Sequence, residues 1–384
     1  MPKTLILKQY YIIKGVEVLI FMDWREELKC NVTDVEGLKE YISLSEDEKK
    51  QIGDIIGSYP MSITRYYLSL IDKNDPKDPI RKMCIPSYYE MDMDGRFDTS
   101  GEKQNTKEEG LQHKYSQTAL ILSTNVCAMY CRHCFRKRLV GQSDDEIAKA
   151  FDKIFDYIVD HKEISNVLIS GGDSLLNSNK VIEYYLKKLC QVPHIKWIRF
   201  GTRVPVVLPS RIYGDEELLS ILKRYSAIKP IYFVTQFNHP RELTEPARRA
   251  VESLIDIGII VSNQTVLLKG VNDQPQVLAQ LIDKLNEYKI IPYYVFQCRP
   301  VKGVKAQFQV PLMEGSRIVE KAKSMLSGHG KRFRYVLSHE TGKIEIVGRL
   351  SDSEMIFKYH QSKNPSDSGR VFIESLKEEQ CWLA

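Results

Sequence analysis

Residues 118–143 read TALILSTNVCAMYCRHCFRKRLVGQS. The opening run, TALILST, is a short apolar stretch of the kind that forms a buried strand. Cys127, Cys131 and Cys134 follow it at once in the spacing C-x3-C-x2-C. Three thiolates so placed can hold three irons of a 4Fe–4S cluster and leave the fourth iron without a protein ligand. An open iron is what a redox cofactor needs to take S-adenosylmethionine (SAM) through its amino and carboxylate groups. One electron passed into the sulfonium then releases a 5′-deoxyadenosyl radical. The alternative for the same residues is a structural zinc site, with His133 joining the three cysteines. Zinc spacings usually come as two close pairs, whereas Cys30, Cys84, Cys190, Cys298 and Cys381 are scattered singly along the chain. These five read as reduced, small apolar residues, and a c-type haem motif would require C-x-x-C-H.

Outward from this stretch, short apolar runs alternate with amphipathic segments, the βα signature of a parallel sheet. Strands are expected at TALILST, NVLIS, WIRFGT, IYFVTQF, IIVSNQTVL and PYYVFQC. Between them, DDEIAKAFDKIFDYIVDH, SNKVIEYYLKKL, DEELLSILKRY, EPARRAVESLIDIG and QPQVLAQLIDKLNEY carry apolar residues at i, i+3 and i+4. Six units, not eight, predict an α/β fold built on a partial (βα)6 barrel, open enough at the C-terminal ends of its strands to admit a large cofactor. The cysteines fall on that face, where βα loops build active sites.

The expected organisation is an extension of unknown role at 1–21, a helical region and loop at 22–115, the barrel at 116–310, and a helix, hairpin and tail at 311–384. Ser45 and Glu48 make a capping box in the helical region. The polar stretch at 92–110 reads as a surface loop, and the segment after Arg349 reads as a flexible connection to a short last element around VFIESLKEE.

A chain of 384 residues, 43% hydrophobic, can bury a full enzyme core. Its formal charge of +5 suits anionic small ligands, and no Lys/Arg block makes nucleic acid the default partner. Residues 1–21 are apolar in patches, but Lys8, Lys14 and Glu17 interrupt them. Neither a spanning helix nor a signal peptide is expected, and oxidation-sensitive cysteine ligands make the cytoplasm the expected location.

Nearly all of residues 22–350 resembles the lysine 2,3-aminomutase family of radical SAM enzymes. The resemblance is carried by DWREEL, SITRYYLSLIDKNDPKDPIRK, CAMYCRHCFRKR, LISGGDSLL, GTRVPVVLPSRI, TQFNHPRELTE, SNQTVLLKGVND and PYYVFQC. It implies that Gly171, Gly172 and Asp173, ending the second strand, form the turn that accepts the methionyl ammonium of SAM. Two glycines permit close backbone approach and a carboxylate favours a cation, although a plain turn before a helix is the alternative. Arg203, Asn263 and Gln264, at later strand ends, are expected near the SAM carboxylate or ribose; for Arg203 an ordinary ion pair is the other reading. Arg136 matches the arginine that in this family pairs with the substrate α-carboxylate, a task suited to a guanidinium fork. Lys137 and Arg138 read as solvated charge. The resemblance also implies a one-electron donor such as flavodoxin or ferredoxin, and a small-molecule substrate.

Departures from the family pattern bear on the chemistry. Family members also carry pyridoxal 5′-phosphate (PLP) on a lysine that ends a run of glycines. Here the segment is YVLSHETGKIEIVG, with Gly342 and Lys343 kept and the run absent. Lys343 is thus a candidate PLP lysine, or part of a plain hairpin with a glycine turn. Of two basic residues upstream of the cysteines that serve the family's PLP pocket, Lys114 is kept and Thr118 stands for the other. Lysine-specific members hold the distal ammonium with two aspartates; the corresponding residues here are Arg299 and Ser338. That exchange argues against lysine and for a distal carboxylate or phosphate. The family's inter-subunit zinc site lacks its counterparts, with Gln274 after Asp273 and only Cys381 near the end, so any homo-oligomer is expected to form without it. The expected function is hydrogen abstraction from a small anionic amino-acid-like substrate, leading to a 2,3-amino shift. A PLP-independent dehydration, epimerisation or modification on the same scaffold is the alternative, and a non-enzymatic iron–sulfur or zinc protein is the remote one.

Overall fold

The computed structural model describes residues 9–13, 16–20 and 23–383. Strands β1 (Gln9–Ile13) and β2 (Val16–Ile20) form an antiparallel ribbon within the 1–21 extension, the rest of which lies outside the described residues. All other strands belong to one twelve-stranded sheet in chain order. They are β3 (Thr106–Glu108), β4 (Leu111–Tyr115), β5 (Thr118–Thr124), β6 (Asn166–Gly171), β7 (Trp197–Gly201) and β8 (Ile231–Thr235). β9 (Ile260–Leu267), β10 (Ile291–Gln297), β11 (Arg334–His339), β12 (Gly342–Arg349), β13 (Glu354–Ser362) and β14 (Val371–Ser375) complete it.

From β5 to β11 every neighbouring pair is parallel. The crossovers carry helices Phe151–Asp160, Asn179–Cys190, Glu216–Ser226, Glu245–Ile255, Pro275–Glu287 and Leu312–Met325. The six expected strands are all present, and β11, expected only as half of a hairpin, is a seventh parallel strand. The hairpin itself is there: β11 and β12 pair antiparallel across a tight turn, with His339 opposite Gly342. β13 and β14 continue the sheet antiparallel, so the segment after Arg349 is not a flexible connection. The sheet crosses the boundaries drawn at 115/116 and 310/311.

The period of two along each strand separates the two faces. Ala119, Ile121, Val167, Ile169, Ile198, Phe200, Ile231 and Phe233 point outward, and each is completely buried. Each of the larger of these side chains contributes roughly 1.5–3 kcal/mol by leaving water. Their neighbours Leu120, Leu168, Arg199, Val234, Gln264 and Phe296 face inward and are only half-buried. The sheet rolls until β4 meets β11 and β12: Lys114 Nζ on β4 donates to the His339 carbonyl at 2.6 Å, and Lys343 Nζ on β12 lies 5.2 Å from the centre of the Tyr115 ring. The inward side chains therefore line a lumen, not a packed core.

The 92–110 stretch is not a surface loop throughout. Thr99, Ser100, Glu102 and Asn105 are buried, and Glu102 lies in the short helix Glu102–Asn105. The capping box of Ser45 and Glu48 starts helix Glu46–Ser58 as expected.

Candidate active site

The cysteine loop follows β5 and is braced by the N-terminal region. Tyr130 N donates to Ser62 O at 2.9 Å, Arg132 N to Met83 O at 2.9 Å, and Asn31 Nδ2 to Ala128 O at 2.8 Å. The Arg132 fork donates from Nε to both oxygens of the fully buried Glu90, at 2.8 and 3.1 Å, and Lys137 donates to the same carboxylate. Arg138 bridges Glu102 and Glu146. Lys137 and Arg138 are thus structural ion pairs and not solvated charge.

Cys127, Cys131 and Cys134 are half-buried and unbonded to other cysteines. Burial, and then the Cys131 thiol, push Cys134 up to about 11; burial, and then the Asp173 charge, push Cys127 well above the ordinary thiol value. Thiols so shifted keep their protons until a metal displaces them. A shallow cleft bordered by Tyr59, Tyr130 and Lys137 reaches Cys131 and Cys134. Among the described residues no three His, Cys, Asp or Glu side chains are grouped as ligands of a single ion. A cluster makes a different demand, taking each thiolate at a separate iron. His133, the fourth ligand of the zinc alternative, turns Nε2 to Asn238 Nδ2 at 3.2 Å.

Gly171 and Gly172 press the end of β6 against this loop. Gly171 has φ +118°, and a Cβ there would come within 2.2 Å of the Thr124 carbonyl; one on Gly172 would come within 2.4 Å of the Val126 carbonyl. Only glycine fits both places. The Asp173 carboxylate is held by its own turn and by the end of β7. It accepts from Thr202 Oγ1 at 2.6 Å, from Arg203 N at 2.6 Å and from Leu175 N at 3.1 Å. Its side chain therefore ties β6 to β7.

Arg203 is buried with most of its fork in use. Nη1 donates to Cys131 Sγ at 2.7 Å, Nε to the Gln236 carbonyl at 3.0 Å, and Nη2 to Tyr67 Oη at 3.2 Å and to Glu242. It sits behind a cysteine ligand in a buried ion pair. Asn263 is likewise occupied: its amide bonds the backbone of Phe237 in both directions, at 2.7 and 3.0 Å. Gln264, next along β9, points to the opposite face and into the lumen, so the two cannot contact the same ligand group.

Deeper in the lumen the expected substrate residues come together. Arg136 Nε donates to Glu102 at 2.7 Å, and Nη1 reaches Ser170 Oγ at 3.2 Å and the Gly171 carbonyl at 3.3 Å. The Phe135 ring lies 4.7 Å from the Arg136 guanidinium and 4.3 Å from that of Arg299. Arg299 Nη2 donates to Ser338 Oγ at 2.7 Å, so the two residues standing for the family's aspartates touch, while Arg299 Nη1 is buried with no partner. Lys343 Nζ bonds Gln361 Oε1 at 3.1 Å and lies 5.6 Å from the Tyr294 ring centre. Burial, and then the charges of Arg199, Lys114 and Arg299, bring Lys343 down to about 7. Lys114 is likewise lowered to about 7, chiefly by burial and Arg299. A buried lysine near neutrality is a competent nucleophile for a carbonyl, and orphaned guanidinium donors beside it suit an anion. The residues present therefore fit PLP, even though the turn from His339 to Gly342 replaces a glycine-rich cradle.

The family model for the radical SAM superfamily matches residues 121–282. L-lysine 2,3-aminomutase of Clostridium subterminale is 41% identical over 328 residues, 85% of this chain and 77% of its own. A protein of Aquifex aeolicus (strain VF5), provisionally named an L-lysine 2,3-aminomutase, is 40% identical over 348 residues, 90% of this chain and 92% of its own. The chain belongs to the lysine 2,3-aminomutase family of radical SAM enzymes. Glutamate 2,3-aminomutase of Clostridioides difficile (strain 630) is 37% identical over 322 residues, 83% of this chain and 74% of its own. The protein is therefore a radical SAM enzyme of the lysine/glutamate 2,3-aminomutase family, an isomerase by class, and its 4Fe–4S cluster and SAM chemistry follow from the family. No helix among the described residues is long and apolar enough to cross a membrane.

Glu102, Glu242, Tyr67 and Arg199 escaped the sequence reading. Tyr67 and Glu242 lie within the matching stretches SITRYYLSLIDKNDPKDPIRK and TQFNHPRELTE, but none of the four carries a local signal that would set it apart from ordinary surface charge or core.

Proposed function

We propose that the protein catalyses a 2,3-amino shift on an α-amino acid whose side chain ends in an anion, and that it does not act on lysine. The observation that carries this is the Arg299–Ser338 contact, which leaves Arg299 Nη1 unpartnered in a lumen that also holds Lys114, Arg199 and Lys343. A distal ammonium there would face the open fork of Arg299 and three further cations, at a cost of several kcal/mol, whereas a carboxylate would complete the fork of Arg299.

When bound, the cluster and SAM supply a carbon-centred radical, and PLP on Lys343 supplies a route for the nitrogen between adjacent carbons. Cys127, Cys131 and Cys134 ligate three irons. The backbone of Gly171 and Gly172 accepts the methionyl ammonium, and Gln264, on the lumen face, is available to the SAM carboxylate or ribose. Asp173, Arg203 and Asn263 hold the frame around them. Glu102 fixes Arg136 through Nε and leaves Nη2 for the substrate α-carboxylate. Tyr115 and Tyr294 flank Lys343, keep bulk water from its amine and favour the neutral form. The electron comes from a small donor such as flavodoxin or ferredoxin, in keeping with a cytoplasmic location.

The tight hairpin turn, without a run of glycines, favours a second reading in which cluster and SAM operate without PLP. Anaerobic reconstitution with iron, sulfide and PLP, borohydride reduction and peptide mass spectrometry separate the two. A pyridoxyl adduct on Lys343, with conversion of glutamate or aspartate to the β-amino isomer and none of lysine, is the expected result. SAM cleavage with Lys343 unmodified would overturn the aminomutase reading.

A further inference from the structure

The mechanism above leaves two cations of the lumen, Lys114 and Arg199, without a role, and of these Arg199 is the less well partnered. Arg199 is the middle residue of β7, and its guanidinium reaches down to Asn166, the first residue of β6, away from the strand ends that carry the cysteine loop. Its Nη2 donates to Asn166 Oδ1 at 2.6 Å, and its Nε is buried with no partner. Among the described residues no acidic side chain pairs with it, and burial lowers it from the ordinary arginine range. Of the charges that act on Lys343, Arg199 acts most strongly. Asn166 in turn bonds Thr118, with Nδ2 3.2 Å from Oγ1. The guanidinium thus stands beside the position where this chain has lost a basic residue. Glu102 and Asp98 are the carboxylates that bear on Lys114 and Arg299, and Glu102 is already shared between Arg136 and Arg138. Four buried or half-buried cations, Lys114, Arg199, Arg299 and Lys343, therefore share too little negative charge, a state that proteins resolve with a bound anion.

We propose that Arg199 anchors a phosphate monoester on the floor of the lumen, with Lys114 and Lys343 as the flanking cations. A phosphate has the oxygens to take up both the orphaned Nε and the neighbouring nitrogen of the same fork, as a singly charged carboxylate at that depth would do less completely. The proposal deepens the function proposed above and names the group that its floor receives. The source of the phosphate is the 5′-phosphate of PLP or that of a phosphorylated substrate.

The test is calorimetric titration of the cluster-free full-length protein with inorganic phosphate, PLP, pyridoxal and phosphoserine, in wild type, Arg199→Gln and Arg199→Lys. Trp197, two residues away and half-buried, provides a fluorescence signal for the same titrations. Wild type should bind inorganic phosphate in competition with PLP, Arg199→Gln should weaken both at least ~10-fold, and Arg199→Lys should recover part of the loss. Pyridoxal, which lacks the phosphate, should be indifferent to residue 199. Removing an underpaired buried charge should leave the melting temperature of Arg199→Gln equal to or above that of wild type, so loss of binding is separable from unfolding. Wild type that ignores phosphate, or Arg199→Gln that binds it equally well, overturns the proposal. PLP loading Lys343 with equal affinity in both proteins would overturn it while sparing the proposed function. Arg199-dependent binding of phosphate and phosphoserine without a pyridoxyl adduct on Lys343 would support the floor site and remove PLP from the function.

Discussion

Replacing Glu242 with glutamine tests whether the frame behind the cysteine loop depends on one charge. The fully buried carboxylate accepts four hydrogen bonds: from Asn238 N at 2.6 Å and His239 N at 3.0 Å on one oxygen, and from Tyr67 Oη at 2.6 Å and Arg203 Nη2 on the other. Glutamine offers a single oxygen, and its NH2 must face two donors whichever way the amide is turned. Two bonds are therefore lost, and Arg203 keeps its charge without a counter-ion. Breaking one side of a buried pair costs about 3–5 kcal/mol. That loss should appear as a lower urea midpoint for the cluster-free protein with an unchanged slope. Arg203 also donates to Cys131 Sγ, so iron incorporation should fall with it. Adding Arg203→Met to Glu242→Gln should restore part of the stability, because no uncompensated charge remains, but not the iron. A loss under ~1 kcal/mol, or a double variant less stable than the single one, would refute the reasoning.

Three further outcomes follow from the geometry. Lys343, with a folded value of about 7 against 10.5 for an ordinary lysine, binds fewer protons folded than unfolded between those values. Stability of the cofactor-free protein should therefore rise with pH across that window, and imine trapping at Lys343 should level off just above pH 7 instead of climbing towards 10; Lys343→Met should flatten the first and abolish the second. Changing Arg299 and Ser338 together to aspartate should move kcat/KM from anionic substrates towards lysine by roughly 100-fold or more, measured by competition between the two. Gly171→Ala forces a Cβ to within 2.2 Å of the Thr124 carbonyl at φ +118°, so it should lose iron and sulfide incorporation while keeping its far-ultraviolet circular dichroism; wild-type iron content would contradict the close approach.

What could be read from the sequence was whatever has a local period or spacing. The strands from TALILST to PYYVFQC alternate or run apolar, and the cysteines announce themselves. Pairing partners do not. RYVLS looks the same whether it joins only KIEIV or also docks parallel to β10, and that choice is made by helix Leu312–Met325 carrying the chain back across the sheet. EMIFKYHQS alternates well, with Met355, Phe357 and Tyr359 buried, but polar residues on both sides hid it as a tail. Glu102 shows the deeper difficulty. In a polar stretch it looks solvated, and only the arrival of Arg136 and Arg138 from a loop more than thirty residues away gives it a buried partner. Sequence places Asp173, Arg203 and Asn263 at strand ends, but it could not tell that their polar atoms are largely consumed inside the protein: Asp173 by Thr202 and Arg203 N, Arg203 by Cys131, Gln236 and Glu242, and Asn263 by the backbone of Phe237.

The cysteines come directly after β5, whereas Lys343 comes from β12, beyond the last parallel strand. On the function proposed above, radical generation and reactant capture share a hydrogen-bonded scaffold but no loop. Shortening or rebuilding the tip between His339 and Gly342 would then change what the enzyme can hold without disturbing how it makes a radical. Descendants of one ancestor can diversify their reactants by editing a few residues at that tip and at Arg299, with the initiating machinery inherited intact.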